Sequence, residues 1–388
     1  MEYTTGGRLE VRVSPEDVGK RVSVRTRTGP EEPKAAFTDT VGVLTSWSEG
    51  TLHVTRRDGR SVALREEALV AGKVVPATPA RRRGVPAAGA YELQRVAARG
   101  WPAVETAALG EWTLRASPVR AAAAREGARP APREGFTSRA NSVLPLGDPG
   151  APLDEVLRYV EGWYAERGLP ARFQVTTGHA GTDEMLAAAL DARGWTAERH
   201  TLMRTGALAP LADRAPDARV RLDRRVSAAW LRAYGRTGDA GAPAGPGGGA
   251  GRGSGPGPGS GSGPGSGSGS GSDDAVRATA TRVLSGGPSV WFATVPGEAD
   301  GDGPPAAIGR CVVDGRWAGF SAVEVAPAHR RRGLAGAVMA ELARTALAEG
   351  ASAAYLQVET ENAAARALYD GLGFADHHAY HYRRAPRN

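Results

Sequence analysis

Between residues 9 and 76, apolar and polar positions alternate in short runs: Arg21-Val22-Ser23-Val24-Arg25, Val41-Gly42-Val43-Leu44, Thr51-Leu52-His53-Val54, Ser61-Val62-Ala63-Leu64 and Lys73-Val74-Val75. A period of two predicts strands, Asp58-Gly59 has the composition of a hairpin turn, and so many short strands in so little chain predict a small closed all-β unit. From Tyr91 the pattern changes. Tyr91 to Arg99 reads as a helix, Trp112-Thr113-Leu114-Arg115 as a strand, and the Ala/Arg/Pro stretch 117–135 as a loop. Ser142-Val143-Leu144-Pro145 predicts a strand and Leu153, Val156, Leu157 and Val160 one face of a helix. Phe173-Gln174-Val175 is a strand, followed by a second helix closed by Gly194-Trp195.

Beyond that, Arg219 to Leu222 predicts a strand and Ala228, Trp230 and Leu231 a helix, which breaks at Gly238 into Gly/Ser/Pro repeats lasting to Ser272. Such a segment buries too little apolar surface to offset its ordering entropy, and 238–272 is expected to be disordered. A helix (Ala275 to Leu284), strands at Val290 to Thr294, Ala307 to Val313 and Gly319 to Val325, a helix from Leu334 to Ala348, a strand from Ala354 to Val358 and a last strand, Ala375 to Tyr382, complete the chain.

Candidate chemistry concentrates in Val323 to Gly336, which reads V-E-V-A-P-A-H-R-R-R-G-L-A-G. A helix that begins at Gly333 leaves its first N–H groups without internal partners, and Arg330, Arg331 and Arg332 stand just before it, so the helix mouth is an anion site suited to a pyrophosphate. Gly333, Ala335 and Gly336 keep side chains out of the way of such a guest. Downstream, Asn362, Ala365 and Tyr369 share one helical face, and Leu368 and Leu372 form the neighbouring apolar stripe.

Arg330 to Ala335 resembles the R/Q-x-x-G-x-G/A loop of the GNAT acetyltransferases, and Asn362 to Phe374 resembles that family's N-x-x-A-x-x-L-Y-x-x-x-G-F segment at every anchor. The resemblance implies acetyl-CoA as co-substrate, held by Val323, Glu324, Val325, Arg330, Arg331, Arg332, Gly333, Leu334, Ala335, Gly336 and Asn362. It implies a pantetheine arm lying between two splayed strands and acetyl transfer to an amine by direct attack, with Tyr369 protonating the departing thiolate. The base is left open. Relatives that acetylate ribosomal-protein N-termini carry a glutamate where this chain has Gln357, which leaves Glu359, Glu324 or a water chain. The acceptor is expected to be a small-molecule or peptide amine; the rivals are an antibiotic or polyamine acceptor, a coenzyme-A-binding pseudoenzyme, and nucleic-acid binding through the barrel and the linker run Arg81 to Arg83.

The chain also resembles itself. Pro145 pairs with Pro327, Gln174-Val175 with Gln357-Val358, and Gly194-Trp195 with Gly373-Phe374, each about 180 residues apart. The expected fold is therefore α/β with a mixed sheet: a tandem GNAT acyl-CoA N-acyltransferase fold preceded by an SH3-like barrel. Boundaries are expected at 1–78 for the barrel, 79–87 for a linker, 88–206 for a degenerate first half and 207–388 for the catalytic half. In the first half Gly147-Asp148-Pro149 stands where the second has its arginines, Asp183 stands near the position of Asn362, and Leu190 at that of Tyr369. It is expected to serve as a scaffold or as half of an acceptor cleft. By the same resemblance, the Gly/Ser/Pro insertion lies over the acceptor site or is a tolerated loop.

Composition adds limits. The 388 residues allow several domains, although 53 glycines are too many for one compact body. A single cysteine, Cys311, excludes an internal disulfide; with no long apolar run, a cytoplasmic protein without a membrane span is expected. The net charge of +7 comes almost wholly from arginine and suits coenzyme A phosphates as well as nucleic acid. Phe37 and Trp47 are too few aromatics for base stacking, so a protein-contact or structural role is expected of the barrel. His377, His378 and His381 lack a Cys or carboxylate cluster, and no metal site is expected.

Overall fold

The computed structural model describes residues 10–28, 37–76, 86–119, 135–235, 270–297 and 303–386. The expected insertion lies outside them apart from 270–272, as do Arg81 to Arg83 and residues 120–134. In the N-terminal unit, β1 (Arg21–Arg27), β2 (Phe37–Ser48), β3 (Thr51–Arg56), β4 (Ser61–Arg65) and β5 (Leu69–Val74) form one antiparallel sheet in the order β4-β3-β2-β1-β5. Its core is Val22, Val24, Leu44, Leu52 and Val54.

The β3–β4 turn docks this unit on the rest of the chain. The Arg57 carbonyl accepts from Thr177 Oγ1 at 2.8 Å, that of Asp58 from His200 Nδ1 at 2.6 Å, and that of Gly59 from Arg383 Nη2 at 3.2 Å. Gly59 has φ +81°, and a Cβ there would come within 2.2 Å of the His381 ring, so conformation and close approach both require glycine.

The remaining elements are α1 (Ala90–Arg99), β6 (Glu105–Leu109), β7 (Trp112–Ala116), α2 (Leu153–Ala165), β8 (Arg172–Thr177), α3 (Glu184–Asp191), β9 (Thr196–Ala207) and α4 (Ala209–Ala212). They continue with β10 (Arg221–Asp223), α5 (Ala228–Ala233), α6 (Ser270–Leu284), β11 (Ser289–Val295), β12 (Ala307–Asp314) and β13 (Trp317–Val325). The chain then runs through α7 (Leu334–Ala348), β14 (Ala353–Glu359), α8 (Ala363–Gly371) and β15 (Ala375–Arg384). Three expectations are corrected. The strand expected at Ser142 to Pro145 is reduced to two isolated bridges, Thr113 with Leu144 and Val143 with Phe173. The helix expected from Ala275 starts at Ser270, inside the stretch read as disordered. And β9, not anticipated at all, is a twelve-residue strand.

That strand reorganises the molecule. An eight-stranded sheet runs β10-β11-β12-β13-β14-β9-β15-β8, so the last strand of the first half pairs with β14 of the second, and the last strand of the second pairs with β8 of the first. The segments expected as separate halves thus exchange their closing strands, and β9 and β15 pair with each other between β14 and the edge strand β8. One face of the β11–β14 part is covered by α7, through Leu334, Val338, Met339 and Leu342, and carries Ala318, Phe320, Leu356 and Val358. The other packs on α1, α5, α6 and residues 136–140, through Leu93, Trp230, Val283 and Phe136.

Candidate active site

Strands β13 and β14 run parallel from Trp317↔Ala353 to Phe320↔Leu356, and there their pairing stops. Beyond it β13 stays on β12 as far as Val325, and β14 stays on β9 as far as Glu359, so the two strands diverge. A register shift puts a bulge in β13, where Ala322 and Val323 stand opposite Gly309, and the Ala322 φ of +52° is strained for a residue with a side chain. The gap has the shape that an extended chain fills by adding itself as a strand.

Val325 leads through a one-turn helix, Pro327–His329, to the basic loop and α7. Arg331 (φ +62°) and Gly333 (φ +76°) turn the backbone so that the helix starts abruptly, and its first bond runs from Ala337 N to Gly333 O at 3.0 Å. The N–H groups of Leu334, Ala335 and Gly336 precede that bond and face out of the helix mouth. Arg330, Arg331 and Arg332 are exposed beside it. Arg330 Nε reaches Val325 O at 3.4 Å, and Arg332 Nη1 lies 3.2 Å from His329 Nδ1. A fourth cation, Arg214, brings Nη2 within 3.9 Å of where a Cβ on Gly336 would stand. It arrives from the α4 side, and nothing in its sequence neighbourhood announces it.

Asn362 is the N-cap of α8, its Oδ1 accepting from Ala365 N at 3.0 Å. One helical face down, the ring of Tyr369 packs on the α7 side of the sheet, 6.0 Å from the ring of Phe374. Burial pushes its hydroxyl up to about 12, with Arg204 pulling the other way. Arg204, on β9, ties this region together: Nε pairs with Asp376 at 2.8 Å, and Nη2 donates to Asp370 and, at 2.9 Å, to Phe374 O. Sequence reading missed it because it belongs to the first half.

The residues considered as bases project elsewhere. Gln357 alternates with Leu356 and Val358, so it and Glu359 lie on the face opposite α7. Glu324 accepts from Gly235 N at 3.1 Å, at the end of α5 on that same face. Tyr369 and the polar ends of β14 therefore sit on opposite sides of the gap.

In the first half the corresponding loop is closed. Asp148 N donates to Glu111 Oε2 at 2.6 Å, and Gly150 N donates to Asp148 Oδ1 at 2.8 Å, so the chain's own carboxylates use the amides. Asp183 is the N-cap residue of α3, as Asn362 is of α8, and Leu190 is wholly buried.

Residues 88–246 and 272–383 match the family described as probable histone acetyltransferase Rv0428c C-terminal, well over half of the chain. The chain belongs to this family. It is an acetyltransferase family, and residues 16–73 match its companion, the Rv0428c N-terminal Sm-like domain, over the β1–β5 unit. No curated protein matches it. Among solved structures, a GCN5-related N-acetyltransferase from Kribbella flavida is similar at 14% identity, over 77% of this chain and 96% of that one, with a TM-score of 0.46. A tandem GNAT protein from the clavulanic acid biosynthesis pathway is similar at 12% identity, over 64% and 76%, with a TM-score of 0.43.

Acetyl-CoA is the co-substrate that GNAT acetyltransferases use in general; this chain has diverging strands and a cationic helix mouth with open space at Gly333. The three histidines are engaged otherwise. His377 Nε2 bonds the Ala88 carbonyl at 3.0 Å, His378 Nε2 the Gln94 side chain at 2.8 Å, and His381 Nε2 accepts from Arg383 Nε at 2.9 Å. Among the described residues no helix is long and apolar enough to cross a membrane.

Proposed function

We propose that this acetyltransferase moves the acetyl group of acetyl-CoA to a primary amine, with Tyr369 as the acid that protonates the leaving thiolate. The observation that carries the reading is the gap between β13 and β14, with the Tyr369 phenol on one face and Gln357 and Glu359 on the other. Acetyl-CoA would supply the acetyl group as a thioester. The helix mouth with Arg330, Arg331, Arg332 and Arg214 would hold the pyrophosphate, and Val323, Glu324, Val325, Leu334 and Ala335 would line the path inward.

On the face away from α7 the amine attacks the carbonyl carbon, forming the C–N bond as the C–S bond breaks. Its surplus proton passes to Glu359 or Glu324, directly or through water. Glu324 also accepts from Gly235 N at 3.1 Å. A backbone N–H near Val325 would steady the carbonyl oxygen as charge builds on it. A neutral tyrosine is a fit donor to a thiolate, and burial keeps Tyr369 neutral. The description of the family names histones, whose acceptor groups are amines; that supports the acceptor class here. The test is thiol release from acetyl-CoA across a panel of amines, with Tyr369→Phe as control. Binding of acetyl-CoA with no turnover on any amine would reject the enzyme in favour of a coenzyme-A-binding protein.

A further inference from the structure

At the root of the gap, where β13 and β14 part, the face away from α7 holds a small cavity of about 10 Å³ lined by Trp101, Arg139, Arg310, Ser321, Tyr355 and Gln357, among others. Ser321 and Gln357 are the first residues past the last strand pair, so this cavity lies on the side from which the amine comes. Its far wall belongs to the first half of the chain, which supplies Trp101 and Arg139.

The polar groups of this wall are donors. Arg310 is spent: it donates to the carbonyls of Leu284 at 2.6 Å, Gly286 at 2.8 Å and Gly100 at 2.9 Å, and to Ser321 Oγ at 3.3 Å. Arg139 differs. Its guanidinium lies 4.7 Å from the Trp101 ring centre, and among the described residues it has neither a hydrogen bond nor a carboxylate partner. Arg310 lies 5.2 Å from the centre of the same ring, so two cations flank one indole. Gln357 Oε1 is taken by the Tyr380 hydroxyl at 3.1 Å, which leaves the Gln357 amide as a donor. No Asp or Glu lines the cavity. A guanidinium with no carboxylate partner, beside a second one in a cavity without Asp or Glu, is placed to receive an anion.

We propose that the acceptor amine carries a carboxylate and that Arg139 binds it, which makes the substrate an amino acid or a short peptide with a free C-terminus. The inference rests on the acetyl-transfer reading above. The cavity admits little more than an oxygen-sized group, so it takes the anionic end of the acceptor rather than its side chain. In an α-amino acid the amine is only two bonds from the carboxyl carbon, and it would stand at the mouth of the gap beside Gln357. The first half then acts as the specificity wall of the second half's site.

The experiment compares free amino acids and dipeptides with their C-terminal amides, together with a capped lysine peptide, using thiol release by the full-length protein and by Arg139→Gln. Wild type should prefer acids over amides by roughly 10- to 100-fold in kcat/KM, mostly through KM. The variant should lose that preference while keeping its rate on amides and its acetyl-CoA affinity, and Arg139→Lys should restore part of it. Equal use of acids and amides by wild type, a preference retained in Arg139→Gln, or best turnover on the capped lysine peptide would each overturn the proposal. If no amine turns over, the acetyl-transfer reading fails, and the anion site is still decided by melting temperature. N-acetylglycine should then raise the Tm of wild type more than N-acetylglycinamide does, and equal shifts would reject the site.

Discussion

Glu111 places its Oε2 2.6 Å from the backbone nitrogen of Asp148 and so fills, from within the chain, the position that stays open at the Arg330 to Gly333 loop. The same loop is closed by a carboxylate in one repeat and surrounded by arginines in the other. Acetyl-CoA should therefore raise the melting temperature, and reversing the charge of Arg330, Arg331 and Arg332 together should abolish the shift, because the bare helix mouth is too weakly positive. Asp148→Asn should leave it intact. A triple variant still stabilised as strongly as wild type would put the pyrophosphate elsewhere.

Tyr369→Phe should lower kcat by roughly 10- to 1000-fold and barely change the Kd for acetyl-CoA, since the ring's packing on Phe374 survives and only the proton is lost. With the hydroxyl held up to about 12, the donor remains protonated across the working range. An alkaline fall in kcat with its midpoint below about 10 would thus report another group. A variant with normal kcat would return Tyr369 to a packing role.

Asn362 caps α8, and its contribution to cofactor binding can be separated from the cap. Asn362→Ala should cost about 1 kcal/mol of stability and weaken acetyl-CoA binding, whereas Asn362→Ser should recover the stability because its hydroxyl can accept from the same N–H. If the serine variant recovers the affinity as well, the residue acts only by holding the helix. Recovery of stability alone would support direct contact by the amide.

Acid should act on this protein through two opposed sets of groups. Burial pushes the Asp183 carboxyl up to about 7, so folding gains as the pH falls from there towards the ordinary value of 3.8. Burial drives His378 and His381 well below 6.5; their contribution is complete above 6.5 and is lost as the pH falls beneath it. Asp183→Asn removes the gain and keeps the loss. Between about pH 7.5 and 5.5 it should lose more unfolding free energy than wild type, by about 2 kcal/mol in denaturant titrations. Parallel pH curves for the two proteins would contradict the assignment to Asp183.

Local physics made much of the chain legible. Strands β1 to β4, α2, α7 and α8 follow from side-chain period, and the helix mouth follows from glycines and arginines that must be adjacent in sequence to act together. The candidate site residues at Arg330 to Gly336 and Asn362 to Tyr369 were legible for the same reason. Strand β9 was not, because its buried positions include Thr201, Arg204 and Thr205. Arg204 is inside because it pairs with Asp370 and Asp376, and Thr201 because its hydroxyl donates to the Arg199 carbonyl; a polar run carries no such signal alone.

What only the tertiary structure decided is who stands next to whom. The exchange of β9 and β15 brings Arg204 to α8, packing brings Arg214 to Gly336, and the first half carries Arg139 and Trp101 to the mouth of the second half's gap. A repeat read along the chain looks like two self-contained copies. The hydrogen bonds of a sheet edge are satisfied equally well by a strand from either copy, so the pattern within each strand does not specify its neighbour, and the packed whole does.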